Sequence, residues 1–249
     1  MKISVITVCY NSVKTLERTL RSVVEQECEG VEHIVIDEGS SDGSVDILAA
    51  YRTGLAHLVS EPDHGIYDAM NKGLALARGE VICFLNADDH YASPQVLLQV
   101  ARKMQAHKLD ALIGDVGYFH ERSPQRIVRR YRSDRFTPER LGWGWMPAHP
   151  AIFLSNKVVQ RVENFRTDYR IAGDFEFIVR VFHGHALRYE HIPEVLVLMQ
   201  TDGASTGGWR SKMLLNLEVL RACRENGLQT HMLKILSKYP AKLTEIMRL

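Results

Sequence analysis

Val81-Ile82-Cys83-Phe84-Leu85 is a run of apolar residues that stops abruptly at Asn86-Ala87-Asp88-Asp89. A run this short, rich in strand formers, reads as a strand buried on both faces, as in a parallel sheet. Such a strand needs neighbours running the same way and helices covering both faces. In open α/β sheets, ligands bind outside the carboxyl ends of the strands. Asn86, Asp88 and Asp89 fall at that end. Adjacent carboxylates repel, and a divalent cation held through oxygen, together with substrate phosphates, relieves the repulsion. The expectation is a metal-bound phosphate ester, a nucleotide above all, at this strand end.

The surrounding sequence repeats the pattern. Ile3 to Val8 reads as a strand ending at Cys9-Tyr10-Asn11-Ser12, and Val13, Leu16, Leu20, Val23 and Val24 follow at helical spacing. His33 to Ile36 reads as a second strand, ending at Asp37-Glu38. A short helix comes next, with Ser44 as N-cap and Val45, Leu48 and Ala49 on its inner face. Leu55 to Val59 is a weaker strand, and Ile66 to Arg78 a helix stopped by Gly79. Ser93-Pro94 opens another helix, whose core face is Val96, Leu97, Val100, Ala101 and Met104. Alternation of strand and helix predicts an α/β fold with a mostly parallel sheet. Three strands ending in polar clusters at one sheet edge point to a site.

From Ala111 the rhythm changes. Ala111 to Val116 and Ala151 to Leu154 read as strands, residues 120–140 as an arginine-rich loop, and Ser155 as the cap of a short helix. A helix opens near Ala172-Gly173-Asp174 and runs to Gly184, two strands span His185 to Ile192 and Glu194 to Met199, and an amphipathic helical region begins at Trp209. This divides the chain into residues 1–110, 111–207 and a C-terminal tail, 208–249. The formal net charge of +1 gives no basic footprint for nucleic acid. The four cysteines lack metal-like or paired spacing, and Cys9 and Cys83 sit in apolar runs as small hydrophobes. A strand begins directly at the N-terminus where a leader would need an apolar core, so the expected location is the cytoplasm.

In order, Ile6-Thr7-Val8-Cys9-Tyr10-Asn11, Val35-Ile36-Asp37-Glu38-Gly39-Ser40-Ser41-Asp42-Gly43-Ser44, Glu61-Pro62-Asp63-His64-Gly65-Ile66-Tyr67-Asp68-Ala69-Met70-Asn71-Lys72-Gly73 and Phe84-Leu85-Asn86-Ala87-Asp88-Asp89 resemble the motifs of glycosyltransferase family 2. The match runs over about residues 1 to 205 and resembles members that build bacterial surface polysaccharides. It implies the GT-A fold, a Rossmann-like sheet flanked by helices with an acceptor-binding second half. It also implies an inverting transfer from a nucleotide-sugar donor to a glycan, in many relatives a polyprenyl-diphosphate-linked one.

Under the resemblance Thr7 and Tyr10 lie by the nucleobase, the tyrosine as a stacking face, and Asp37 and Glu38 accept hydrogen bonds from base or ribose. Asp88 holds Mg²⁺ or Mn²⁺, while Asn86 stands where relatives carry an aspartate and turns to the ribose or a metal-bound water. Asp89 reads as a turn cap. Asp68 and Asn71 face the donor sugar or phosphates near a helix N-terminus. Many relatives have arginine where this chain has Met70, which reads as core, so that phosphate contact must come from elsewhere. Asp174 matches the catalytic base, with a plain N-cap as its alternative, and Glu176 pairs with Arg180 along the helix.

Trp143 and Trp145 suit the apolar faces of a sugar acceptor as well as they suit burial, and His149 falls near the expected acceptor. Asp202-Gly203-Ala204-Ser205 resembles a loop that closes over the donor. The arginine-rich stretch and the basic tail (Arg210, Lys212, Arg221, Arg224, Lys234, Lys238, Lys242, Arg248) suit either peripheral contact with the inner face of the plasma membrane or an ordinary solvated face. Two rival readings stay open. A nucleotidyltransferase would want a glycine-rich basic loop after the first strand, which Cys9-Tyr10-Asn11-Ser12 does not supply. A catalytically silent nucleotide-sugar-binding or scaffold protein gains footing from Asn86 and Met70 and loses it from Asp88 and Asp174.

Overall fold

The N-terminal apolar runs become strands because each can bury both of its faces. β1 (Ile3–Cys9) is buried along its whole length, β2 (Val31–Asp37) along all but its first residue, and β3 (His57–Ser60) is a partly exposed edge. β4 (Val81–Phe84) is buried throughout. The four pair in parallel in the order β3-β2-β1-β4. Cys9, Asp37 and Ser60 are register partners, and Phe84 pairs with Ile6, so all four carboxyl ends share one edge. The computed structural model describes residues 1–201 and 208–239. The proposed closing loop Asp202–Ser205 and the basic residues Lys242 and Arg248 lie outside the described residues.

Alternating side chains divide the core as a pleated strand demands. Ile6, Val8, Ile34, Ile36, Ile82 and Phe84 face one cluster, while Ile3, Val5, Val81 and Cys83 face the other. The helices α1 (Leu16–Val24), α2 (Ser44–Ala50), α3 (Ile66–Leu76) and α4 (Val96–His107) cover these faces. The five apolar residues expected on the core side of α4 are all buried. Val13, Val24 and Val45 are exposed instead, at 38%, 55% and 42%, and Ala49 is also exposed. Leu16, Leu20 and Val23 bury α1, and Leu48 is the fully buried apolar residue of α2. Ser44 is the first residue of α2 rather than its cap, and Gly43 at φ 100° takes the cap position. Likewise α4 begins two residues past Pro94, with Gln95 as cap.

The second half extends the same sheet. β5 (His90–Tyr91) follows the acidic loop. β6 (Ala111–His120) is longer than expected because β7 (Ser123–Tyr131) folds back on it as a hairpin. The arginine-rich segment is therefore an edge strand over nine of its residues and not a loop. Its arginines find local partners: Arg130 reaches Asp115 at 2.7 Å, Arg132 reaches Asp134 at 2.7 Å, and Arg129 lies 4.1 Å from the Tyr118 ring centroid.

β8 (Ile152–Ser155) runs antiparallel between β4 and β6. α5 (Asn156–Val162) and α6 (Gly173–Phe182) follow. The two expected late strands are one, β9 (Tyr189–Gln200), parallel to β6 with a register shift opposite Ile113 to Val116. The full order is β3-β2-β1-β4-β8-β6-β9-β5, with β7 added to β6. α7 (Trp209–Glu225) and α8 (Met232–Leu236) come last. Val219, Ala222, Cys223 and Ile235 enter the main core cluster, so these helices pack as part of the body.

Candidate active site

The strand ends deliver side chains to one edge, and hydrogen bonds decide which of them stay open. Thr7 does not. It is fully buried, and its hydroxyl lies 3.0 Å from His33 Nε2, so it is a core contact rather than a donor contact. Burial also holds His33 neutral, with its pKa lowered to about 3. Asp37 is closed too. Its carboxylate accepts the Ser40 amide at 3.1 Å, the Ser40 hydroxyl at 2.5 Å and the Ser60 hydroxyl at 2.6 Å, with Cys9 Sγ at 3.6 Å. These contacts occupy the acceptor sites of a carboxylate, so Asp37 shapes the turn. Tyr10, 57% exposed, and the partly exposed Glu38 remain open beside it. The carboxyl of Glu38 is pushed up by burial and by a hydrogen bond with Asp63.

α3 starts at the same edge. Asp68 accepts the His64 amide at 3.1 Å and stays partly exposed. Asn71 is turned away, because its amide pairs with the peptide of Phe165 at 2.9 Å and 2.8 Å. That pairing ties α3 to the loop after α5 and fixes the side-chain amide against Phe165. Met70 is 2% exposed, a core residue as expected.

The acidic loop is held from behind. Thr19 of α1, fully buried, holds the single proton of its hydroxyl between two carbonyls, that of Asp89 at 2.6 Å and that of Ala87 at 3.0 Å. Asp89 is not a turn cap: both carboxylate oxygens are buried with no partner, as is Asn86 Oδ1. Burial drives the carboxyl pKa of Asp89 well up, with the Asp88 charge adding and Arg18 opposing. Asp88, partly exposed, is also raised by burial, and again Arg18 opposes.

Orphaned buried oxygens call for a cation or an ordered donor. Two carboxylates and an amide oxygen are hard ligands that suit Mg²⁺ or Mn²⁺. Among the described residues no group of three or more His, Cys, Asp or Glu side chains could hold a metal ion. The oxygens of Asn86, Asp88 and Asp89 are of the kind Mg²⁺ or Mn²⁺ takes, and a metal held there would need further ligands such as substrate phosphates.

Arg18 is the cation at this loop, and nothing in the sequence singled it out beyond a polar slot between Leu16 and Leu20. Its guanidinium lies 4.7 Å from the Phe119 ring centroid and donates to Gln200 at 3.2 Å, while its Nε is buried without a partner.

Asp174 sits in the first turn of α6, whose cap is Ala172, so it is not the N-cap. Its Oδ1 accepts the Phe175 amide at 2.7 Å. Burial raises its pKa to about 6, the Phe175 amide opposes, and the Glu218 charge adds to the rise. A partly exposed carboxyl titrating near 6 suits proton abstraction near neutral pH. Tyr67 of α3 ties it to the sheet edge, its hydroxyl donating to the Ile171 carbonyl at 2.7 Å and accepting the Gly173 amide at 2.8 Å. Glu176 pairs with Arg180 at 2.8 Å, as spacing predicted.

The aromatic residues separate. His149, 8% exposed, stacks on Phe84 with centroids 5.3 Å apart, directly behind the acidic loop, and burial lowers its pKa to about 4. Trp145 stacks on Tyr131 at 6.1 Å and leans on Phe136 at 6.0 Å, a packing role. Trp143 is 49% exposed under Lys234 of α8, 5.0 Å from its ring centroid. The structure groups His149 with the sheet edge and leaves Trp143 and Trp145 against the second half and α8.

The fold and this edge are those of a GT-A type nucleotide-dependent transferase sheet. A family profile described as Glycosyl transferase family 2 matches residues 4–177, and the chain belongs to that family. It is similar to an uncharacterised glycosyltransferase of Mycobacterium tuberculosis, 34% identical over 213 residues, covering 84% of this chain and 78% of that one. It is also similar to a PGL/p-HBAD biosynthesis glycosyltransferase of Mycobacterium bovis, 30% identical over 195 residues, covering 76% of this chain and 73% of the relative.

Among solved structures, S. aureus TarS residues 1–349 in complex with UDP-GlcNAc aligns at a TM-score of 0.69 and 20% identity, over 88% of this chain and 67% of that one. A Pyrobaculum calidifontis mannosyltransferase in complex with GDP-Man and Mn²⁺ aligns at 0.66 and 20% identity, over 88% of this chain and 64% of that one. Against the longer TarS chain the alignment spans only 40% of its length. These structural likenesses establish the GT-A fold.

Proposed function

We propose that this glycosyltransferase moves one sugar from a nucleoside-diphosphate donor to a glycan hydroxyl with inversion at the anomeric carbon. The observation that carries the reading is the set of unpartnered buried oxygens of Asn86 and Asp89 beside Asp88, at the carboxyl edge of a parallel sheet. Tyr10 offers the base a stacking face, and Glu38 accepts from base or ribose. Asp68 faces the donor sugar or phosphates at the start of α3. Asp88 and Asp89, with Asn86, would hold Mg²⁺ or Mn²⁺, which supplies Lewis-acid neutralisation of the diphosphate.

Asp174 takes the proton of the acceptor hydroxyl as that oxygen bonds to the anomeric carbon. The bond from that carbon to the diphosphate oxygen breaks on the opposite face, and its electron pair leaves with the nucleoside diphosphate. His149, neutral and wedged against Phe84, shapes the acceptor side of the cleft. The GDP-Man and UDP-GlcNAc complexes of the solved neighbours support a donor of this class. The biosynthetic role of the mycobacterial relative supports a glycan or glycolipid acceptor.

The outer face of α7 favours an acceptor at a lipid surface. Trp209, Met213 and Leu217 lie on one stripe at 70%, 54% and 48% exposure, with Arg210 and Lys212 also exposed. Among the described residues no helix is long and apolar enough to cross a membrane; an exposed apolar stripe flanked by basic residues suits contact at the surface of a bilayer.

Asp174→Asn tests the chemistry. Transfer should fall by about 10²–10⁴-fold, with nucleoside-diphosphate affinity in Mg²⁺ or Mn²⁺ nearly intact by thermal shift. Turnover in the variant would sink the base assignment. In the unaltered enzyme kcat/KM should rise with pH through about 6, since Asp174 acts only when deprotonated.

A further inference from the structure

The family match ends at residue 177, and α7 lies beyond it. α7 nonetheless reaches the turn that carries Asp174 into place, through Glu218, which is 7% exposed. Glu218 Oε1 accepts the amide of Arg170 at 2.9 Å, and Oε2 accepts those of Ile171 at 2.9 Å and Ala172 at 2.8 Å. Three successive amides aimed at one carboxylate form the concavity that elsewhere binds an anionic ligand. Here a side chain 46 positions from Ala172 fills it. Tyr67 grips the same turn from the opposite side, holding the Ile171 carbonyl and the Gly173 amide. Every amide from Arg170 to Gly173 is thus bonded to a side chain of α3 or α7, and the residue after them is Asp174.

This is more than the docking of a terminal helix. A buried carboxylate is a costly way to fasten two helices, and apolar residues fasten them more simply. Val219, Ala222 and Cys223 already do so on the same helix. A carboxylate at 218 adds two things apolar packing lacks. It fixes the backbone orientation of the turn, and it places a negative charge that acts on Asp174. Gly173 completes the arrangement, since a Cβ there would stand 2.6 Å from the Tyr67 ring.

We propose that Glu218 is a positioning residue of the transfer reaction, clamping the turn at 170–172 so that Asp174 meets the acceptor hydroxyl, which makes α7 a working part of the active site. The proposal rests on the reading of Asp174 as the base.

The test uses the full chain with Glu218→Gln, which keeps the shape, loses the charge and offers one acceptor oxygen to three amides. The kcat should fall by about 10–100-fold, as for a misplaced catalytic group. The KM for the nucleotide sugar should stay within about twofold, because the clamp does not touch the donor side. The acid limb of the kcat/KM profile should move modestly to lower pH, since burial still raises the pKa of Asp174 but the added push of the Glu218 charge is gone. Amide hydrogen exchange at 170–172 should speed up while the interior of α6 keeps its protection.

Wild-type kcat with an unmoved acid limb would overturn the proposal, and so would a KM that rises in step with the loss of kcat. Asp174→Asn run in parallel separates the two readings. If it still transfers, the base assignment fails; if it is dead while Glu218→Gln is normal, only the clamp fails. Should Glu218→Gln not fold, Tyr67→Phe keeps the ring packing and removes the opposite grip. It should then show the same fall in kcat at constant KM, and a normal kcat would count against the clamp.

Discussion

Arg18 projects from α1 with its guanidinium against Phe119 and its charge acting on Asp88 and Asp89. Burial lowers its pKa while those two carboxylates hold it up. The guanidinium is thus partly desolvated, with its Nε unpartnered, and such a group gains much from an added anion. Met70, where the family resemblance leads one to expect arginine, is buried and has no charge to offer. Arg18 stands where it can supply the phosphate contact that Met70 lacks. Arg18→Gln should weaken nucleoside-diphosphate binding by about 10–100-fold, in line with the ~1.5–3 kcal/mol of a charged hydrogen bond. It should leave binding of the bare nucleoside unchanged. Equal losses for both ligands, read by calorimetry, would remove Arg18 from the phosphate end.

At the scale of elements, the acidic loop keeps its shape because α1 holds its carbonyls through Thr19. Thr19→Val preserves volume but deletes the one donor that the two carbonyls share, so it should cost ~1–3 kcal/mol in chemical denaturation. A larger share of the loss should appear as weaker metal-dependent nucleotide binding, and a variant as stable and as active as the parent would refute this. Other elements show which parts of the fold the sequence carried. β1, β2 and β4 were plain as apolar runs, and α4 as a five-residue apolar face. β7 was hidden because arginines occupy an edge strand, where one face is free to be polar and propensity depends on context.

Pro193 lies between the two late strands that the sequence predicts, where β9 runs on unbroken. Here proline falls where the β6 register shifts, the kind of bulge that tolerates it. The site was legible to the level of strand ends and no further. Thr7, Asp37 and Asn71 stand at or near the expected edge, yet His33, the Ser40 and Ser60 hydroxyls and the Phe165 peptide take their polar atoms. Such partners are distant in sequence. Asp89 erred in the opposite direction, looking like a cap while its oxygens stayed open. In the sequence Glu218 is one acid in an amphipathic helix, and only the fold reveals the three amides that surround it.

For the whole molecule, the outward stripe of α7 makes a surface prediction. Replacing Trp209, Met213 and Leu217 by serine removes exposed apolar area without touching the core residues Val219, Ala222 and Cys223. Binding to anionic liposomes should fall by about tenfold or more, as expected for lost interfacial burial. Transfer to a short soluble acceptor should stay unchanged. Binding that persists would show that a surface other than the α7 stripe makes the membrane contact.

The Glu218 clamp also has a consequence in time. During synthesis, β1 to β4 and their helices can assemble on the growing chain, since their pairings close within the first half of the sequence. The turn before Asp174 lacks its second grip until residue 218 has cleared the ribosome. A nascent chain would therefore form its donor edge early and work only weakly as a transferase until α7 docks. Arrested chains ending before and after α7 should differ in turnover far more than in nucleotide affinity.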